Sequence, residues 1–185
     1  NTIFWVPSAL IVVSKLKAFR NVDLNGVLKR VLFCGEVMPN KQLNVWRKYL
    51  PDVVYANLYG PTEGTGVCCY YRMDRLFEEH EAIPIGRPFK NTQILLLDSE
   101  GREVPDGEEG EICIRGIGVT LGYYNNTEKT DEVFTQNPTN PYYFDRIYRT
   151  GDLGKKNEKG ELIFISRKDY QIKHMGHRIE LGEIE

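Results

Sequence analysis

The chain has 185 residues, enough for one packed domain or a domain with a small appendage, and its 41% hydrophobic and 27% charged content is that of a folded globular protein. With 24 basic and 26 acidic residues the net charge is −2, and the absence of any Lys/Arg block excludes a nucleic acid polymer as the expected partner. The apolar run Ala9-Leu10-Ile11-Val12-Val13 is too short to insert in a bilayer and no signal-peptide pattern precedes it, so a cytoplasmic protein with no membrane insertion is expected.

Ile3 to Val6 reads as a buried strand, and Pro7-Ser8 opens a helical pattern running to about Phe19. Arg30 to Cys34 is a second strand. Gly35 to Pro39 is a turn, and Asn40 is the predicted N-cap of a helix through Tyr49 whose Leu43, Trp46 and Leu50 recur at helical spacing. Val53 to Tyr59 is a third strand, so strands separated by helices predict a parallel sheet with right-handed crossovers. After about His80 the pattern changes to short apolar runs (Gln93 to Leu97, Glu111 to Arg115, Glu161 to Ser166) punctuated by Asp98-Ser99-Glu100-Gly101, Pro105-Asp106-Gly107 and Glu158-Lys159-Gly160, which are hairpin signals. Between them Asn126 to Thr130 reads as a capped short helix, and Gln136 to Pro141 as a surface loop. Cys34, Cys68, Cys69 and Cys113 lack the spacing of a zinc site and are expected to be reduced, partly buried thiols, with Cys68 and Cys69 facing opposite sides of a strand. The first residue is not Met and the last falls within a motif, so the chain is expected to be a piece of a longer protein.

Two segments carry the chemistry. Asn57-Leu58-Tyr59-Gly60-Pro61-Thr62-Glu63-Gly64-Thr65 and Tyr148-Arg149-Thr150-Gly151-Asp152-Leu153 each set a polar cluster on a predicted turn after an extended apolar stretch, where open α/β proteins place ligand-binding groups. The Thr62 hydroxyl can donate to a phosphate oxygen and the Glu63 carboxylate can take a hard cation such as Mg²⁺. Taken alone, Gly60 to Glu63 is equally well a tight turn, Asp152 a solvated turn residue, and Arg149 a structural ion-pair partner.

With Gly110-Glu111-Ile112-Cys113-Ile114 and the run from Asp169 to Glu185, these segments resemble the motif series of adenylate-forming enzymes, specifically amino-acid adenylation domains. The resemblance implies an α/β fold: a partial parallel Rossmann-like sheet with flanking helices, then an antiparallel β-barrel-like region and the start of a small C-terminal lid. It divides the chain into the C-terminal part of a nucleotide- and substrate-binding subdomain (residues 1–82), an antiparallel subdomain (83–168) and a hinge with the start of the lid (169–185), Asp169 being the hinge. It implies an acid-thiol ligase that uses ATP and Mg²⁺ to adenylate a small amino acid and passes the aminoacyl group to a phosphopantetheinylated carrier protein.

Nucleotide contacts are then expected from Asn57, Tyr59, Gly60, Thr62, Asp152 and Arg167, with Tyr59 beside the adenine and Asp152 on the ribose hydroxyls. Catalytic roles fall to Thr62, Glu63 and Arg167, and the metal to Glu63. Ser166 stands where the family usually has Gly, and Gln171, Lys173 and Gly176 match a loop lining the pantetheine channel. The substrate side is expected at Leu32, Cys34, Leu58, Gly66 and Val67. That compact apolar lining suits alanine, and Leu32 to Pro39 looks like ligases that load D-alanine on a carrier. The competing readings are an acyl-CoA or aryl-acid ligase of the same superfamily and a non-catalytic nucleotide-binding fragment. The phosphate loop, the amine-binding aspartate and the late lysine of the family are not recognisable here, so these residues alone are expected to be inactive.

Overall fold

The computed structural model describes residues 1–20, 22–168, 171–175 and 177–180; the expected hinge Asp169 and the loop residue Gly176 lie outside them. The chain forms two compact units. The first is built from Asn1–Leu58 and Tyr71–Ile83 together with the C-terminal strand pair, and the second from Tyr59–Tyr70 and residues 84–168.

In the first unit, β1 (Thr2–Trp5), α1 (Pro7–Lys15), β2 (Arg30–Cys34), α2 (Asn40–Tyr49) and β3 (Val54–Tyr59) follow in order, the three strands parallel with Ile3, Val31 and Tyr55 in register. This is the β-α-β-α-β arrangement expected from the alternating patterns. β4 (Cys69–Arg72) and β5 (Arg87–Pro88) pair antiparallel, with Cys69 opposite Pro88 and Tyr70 opposite Arg87. β1 is not the buried strand expected. It lies at the end of the sheet, leaving Phe4 and Trp5 exposed.

Pro occupies the first position of α1, where its missing N–H costs nothing. The helix stops at Lys15 rather than near Phe19, because Lys17 turns to φ 54°, a left-handed conformation a helix cannot continue through. Leu43 and Trp46 of α2, with Leu50, bury as their spacing predicts, against Leu10, Val31 and Phe33. Trp46 Nε1 donates to the Leu10 carbonyl at 2.9 Å, and the Tyr55 hydroxyl lies 3.0 Å from the Trp46 and Leu50 carbonyls at the end of α2. Asn40 does not cap α2; its buried amide nitrogen instead donates to the Glu78 and Glu81 carbonyls at 2.6 and 2.7 Å, and Pro39 takes the N-cap position with no side-chain bond. A long-range partner prevails over a local one here, which sequence spacing cannot show.

The second unit is an antiparallel sheet in the order β10 (Leu162–Arg167), β9 (Arg146–Lys156), β7 (Gly110–Gly116), β6 (Thr92–Leu97), with β8 (Phe134–Gln136) also on β9. Of these, β9 is the axis. β7 holds one edge of it, while β8 along Arg146–Tyr148 and β10 along Asp152–Lys156 share the other. One face packs Leu96, Ile112, Ile114, Phe134, Tyr148 and Leu162 together, and Leu95, Leu97, Cys113 and Ile147 form a second cluster. Helix α3 (Thr127–Val133) has the expected cap: Asn126 accepts from Lys129 N at 3.0 Å. Cys68 and Cys69 are fully buried, their sulfurs 4.0 Å apart. In the C-terminal pair, β11 (Gln171–His174) and β12 (His177–Glu180) run antiparallel. Among the described residues no helix is long and apolar enough to cross a membrane.

Candidate functional site

The strand β3 ends at Tyr59 and the chain folds back at once: Cys68 N donates to Tyr59 O at 2.8 Å, and a 3₁₀ turn over Thr62–Gly64 closes with Gly64 and Gly66 N on the Pro61 carbonyl. A side chain at position 60 would come within 2.7 Å of Cys68 N, the Gly66 carbonyl and Val67 Cα, so only glycine lets this turn close. Thr62 is exposed on it and Glu63 is buried. The Glu63 carboxylate accepts from the Tyr123 hydroxyl at 2.6 Å, and its backbone carbonyl accepts from Thr120 N at 2.9 Å. Tyr123 is itself fixed, its N–H donating to Thr130 Oγ1 at 2.9 Å and its ring set edge-on to Phe134. Neither Thr120 nor Tyr123 was expected from the sequence; no local pattern connects them to Glu63, which Tyr123 follows by 60 positions.

Asp152 was expected on a turn. It lies instead inside β9, at a bulge. From Arg149 to Leu153 that strand advances four residues while β7 advances two, Cys113 to Glu111, so Thr150, Gly151 and Asp152 together face Ile112. Gly151 sits there at φ 72°, which glycine accepts without strain. On the other edge β10 carries one extra residue between Phe164 and Ser166, which sets Arg167 directly opposite Asp152.

The result is a compact charged cluster. Arg167 Nη1 donates to Asp152 Oδ1 at 2.5 Å and the Tyr59 hydroxyl to Asp152 Oδ2 at 2.5 Å, while Arg167 Nη2 reaches the Thr150 carbonyl at 3.2 Å. The Thr150 hydroxyl donates to the Ile112 carbonyl at 2.7 Å and accepts from Asp152 N at 3.0 Å. Burial and the neighbouring Asp152 charge push the Tyr59 phenol well above its ordinary value, so it remains a donor.

A second buried carboxylate, Glu111 on β7, accepts from Arg149 Nε and Nη2 at 3.0 and 2.5 Å, from Lys168 Nζ at 3.2 Å and from Gly151 N at 3.2 Å. Burial raises its carboxyl, but Arg149 and Lys168 outweigh this and hold it below the ordinary Glu value. Arg149 is thus an ion-pair partner.

In the first unit, parallel register places Leu32 beside Ala56 and Cys34 beside Leu58 on the half-buried face of the sheet, opposite the face where Val31 and Phe33 meet the helices. Asn57 is buried beside Phe33. In the second unit Gly66, at φ 87°, is exposed with open space around it, and Val67 is half-buried. Gln171 and Lys173 lie on β11. Tyr59, Asp152 and Arg167 are therefore brought together, Leu32, Cys34 and Leu58 adjoin one another, and Glu63 is held by Tyr123 and Thr120. Among the described residues no three His, Cys, Asp or Glu side chains form a metal-binding group.

The sequence pattern of the family described as AMP-binding enzyme matches residues 1–124. Bacitracin synthase 1 of Bacillus licheniformis is 41% identical over 165 residues, 89% of this chain and 3% of that protein. Tyrocidine synthase 3 of Brevibacillus parabrevis is 42% identical over 172 residues, 92% of this chain and 3% of its own length. The chain thus spans only 3% of the length of each of these curated relatives. Among solved structures, holo-PA1221, a nonribosomal peptide synthetase protein containing adenylation and PCP domains bound to a vinylsulfonamide inhibitor, superimposes with a TM-score of 0.89 at 31% identity, covering 100% of this chain and 32% of that one.

Proposed function

The chain belongs to the AMP-binding enzyme family, and on that footing we propose that it is part of an amino-acid adenylation domain of the nonribosomal peptide synthetase type, within an AMP-forming acid-thiol ligase. The amino-acid carboxylate attacks the α-phosphate of ATP, the bond to the β-phosphate breaks and pyrophosphate leaves; a phosphopantetheine thiol on a carrier protein then attacks the acyl carbon, forming a thioester and releasing AMP. The observation that carries this reading is Asp152, held by Tyr59 and Arg167 at the bulge. An ionised carboxylate is acceptor-only, with about four acceptor positions on its two oxygens, which suits it to the paired hydroxyls of a ribose. Arg167 adds a permanent cation beside it, on the phosphate side of the nucleotide. The resemblance assigns Tyr59 a place beside the adenine and names Asn57 and Gly60 as further nucleotide contacts.

The exposed Thr62 hydroxyl is suited to a phosphate oxygen. Glu63 fits Mg²⁺, which takes hard oxygen from one or two carboxylates together with substrate phosphates; when bound, the cation supplies neutralisation of charge developing on the phosphates. Tyr123 fixes the carboxylate that would meet it. Catalysis by these residues is positioning and electrostatic stabilisation.

For the acid substrate we infer a small apolar amino acid, alanine-sized, from Leu32, Cys34 and Leu58 on one half-buried sheet face; Gly66 and Val67 rest on the resemblance alone. The adenylation and PCP domains joined in PA1221 support a carrier domain as the acceptor. A cytoplasmic location, where ATP and free amino acids meet, accords with this reaction. The test is amino-acid-dependent ATP–pyrophosphate exchange by the full-length protein across a panel of amino acids. Exchange driven best by alanine is expected. No exchange with any amino acid sinks the adenylation reading, whereas strong preference for an aromatic or charged one sinks only the small-pocket reading.

A further inference from the structure

We propose that Glu111 is a positioning residue for the nucleotide site: its carboxylate ties both strands that carry the site, so that Asp152 stays opposite Arg167. The inference rests on the reading of Asp152 as the ribose acceptor and deepens it.

The three groups Glu111 holds flank the pair it organises. Arg149 enters the bulge, Gly151 immediately precedes Asp152, and Lys168 immediately follows Arg167. A bulge deprives the strand of regular ladder partners, and a buried N–H left unmatched is costly. Glu111 Oε1 supplies the partner for Gly151 N, while the Gly151 carbonyl accepts from Lys168 N at 2.8 Å, closing the connection between the two strands. A buried carboxylate that only needed neutralising would be served by Arg149 alone. The second cation, drawn from the far strand, and the backbone donor are what a device for fixing relative position requires. The effect of Glu111 on Asp152 and Arg167 passes through these neighbours.

The experiment uses the full-length protein and compares ATP with 2′-deoxy-ATP in pyrophosphate exchange. Wild type is expected to prefer ATP, and Asp152→Asn to lose that preference. Glu111→Gln, which keeps the shape and removes the charge, is expected to lower kcat/KM for ATP about tenfold or more. It should also erase most of the discrimination between the two nucleotides, with the KM for the amino acid unchanged. A merely structural role would depress both nucleotides alike. Folded Glu111→Gln protein with the wild-type ratio therefore overturns the proposal while the ribose reading stands on Asp152→Asn. A wild type that accepts 2′-deoxy-ATP as well as ATP overturns both. Should Glu111→Gln not fold, Lys168→Ala decides, since that side chain is partly exposed: a smaller drop in the ratio supports the proposal and an unchanged ratio overturns it.

Discussion

In the first unit three buried polar side chains end on backbone: Trp46 on the Leu10 carbonyl, Tyr55 on the carbonyls closing α2, Asn40 on Glu78 and Glu81. In the second, two buried carboxylates end on opposite charges, Asp152 with Arg167 and Glu111 with Arg149 and Lys168. Neutral groups on backbone let apolar packing set the stability. Desolvated ion pairs add little net stability but tolerate only one geometry, so they are suited to holding a reactive arrangement. Packing by volume is thus set against two carboxylate clusters secured by charge.

The sharpest way to break this contrast is Trp46→Ala. Removing the largest fully buried side chain of α2 should cost about 3–5 kcal/mol in denaturant unfolding of the full-length protein, with the KM for ATP of the folded fraction unchanged. A loss under about 1 kcal/mol would mean that packing does not dominate there. Next, Asp152→Ala removes the carboxylate that Arg167 and the Tyr59 hydroxyl share and should cost about 2–3 kcal/mol, but it should also raise the KM for ATP about tenfold or more. An unchanged KM for ATP would remove the functional half of the comparison.

Acid provides a smaller and more selective test. The Glu111 carboxyl is held below its ordinary value, because Arg149 and Lys168 outweigh burial, so it contributes stability at pH above the unfolded value of about 4.3 and loses it as pH falls toward the folded value. Glu111→Gln should flatten the fall in stability as pH drops below about 5, and an equally steep fall in the variant would count against the charge account. The smallest effect concerns thiols. Burial, reinforced by Glu111, pushes Cys113 up to about 12, and the Cys68 hydrogen bond, with burial, raises Cys69, whereas Cys34 is only half-buried. Iodoacetamide at about pH 8 should label Cys34 first, and saturating amino acid should slow it; first labelling at Cys113 would refute the burial argument.

Much of the scaffold was legible because it is written locally. The 3.6-residue spacing of Leu43, Trp46 and Leu50, the Asn126 cap and the alternation of strands and helices each depend on near neighbours. Gly60-Pro61-Thr62-Glu63 was legible for the same reason, its turn chemistry lying within a few residues. What could not be read involves partners far apart in the chain: Glu111 with Lys168, Tyr123 with Glu63, Asn40 with the Glu78 and Glu81 carbonyls. Asp152 was expected on a turn and lies within a strand, because Thr150-Gly151-Asp152 has turn composition and only the opposing strand reveals a bulge.

The extra residue on β10 also governs how such proteins can be recombined. Side chains alternate faces along a strand, so a chimaera that kept β9 but took an unbulged β10 from another parent would shift its final residues by one and turn the Arg167 guanidinium to the opposite face. The paired residues of β9 impose the complementary restriction: an even number of added positions preserves which face Asp152 presents while changing its opposite number on β7. Strands β7, β9 and β10 therefore exchange safely only as one block, with crossovers placed before Gly110 or after Lys168.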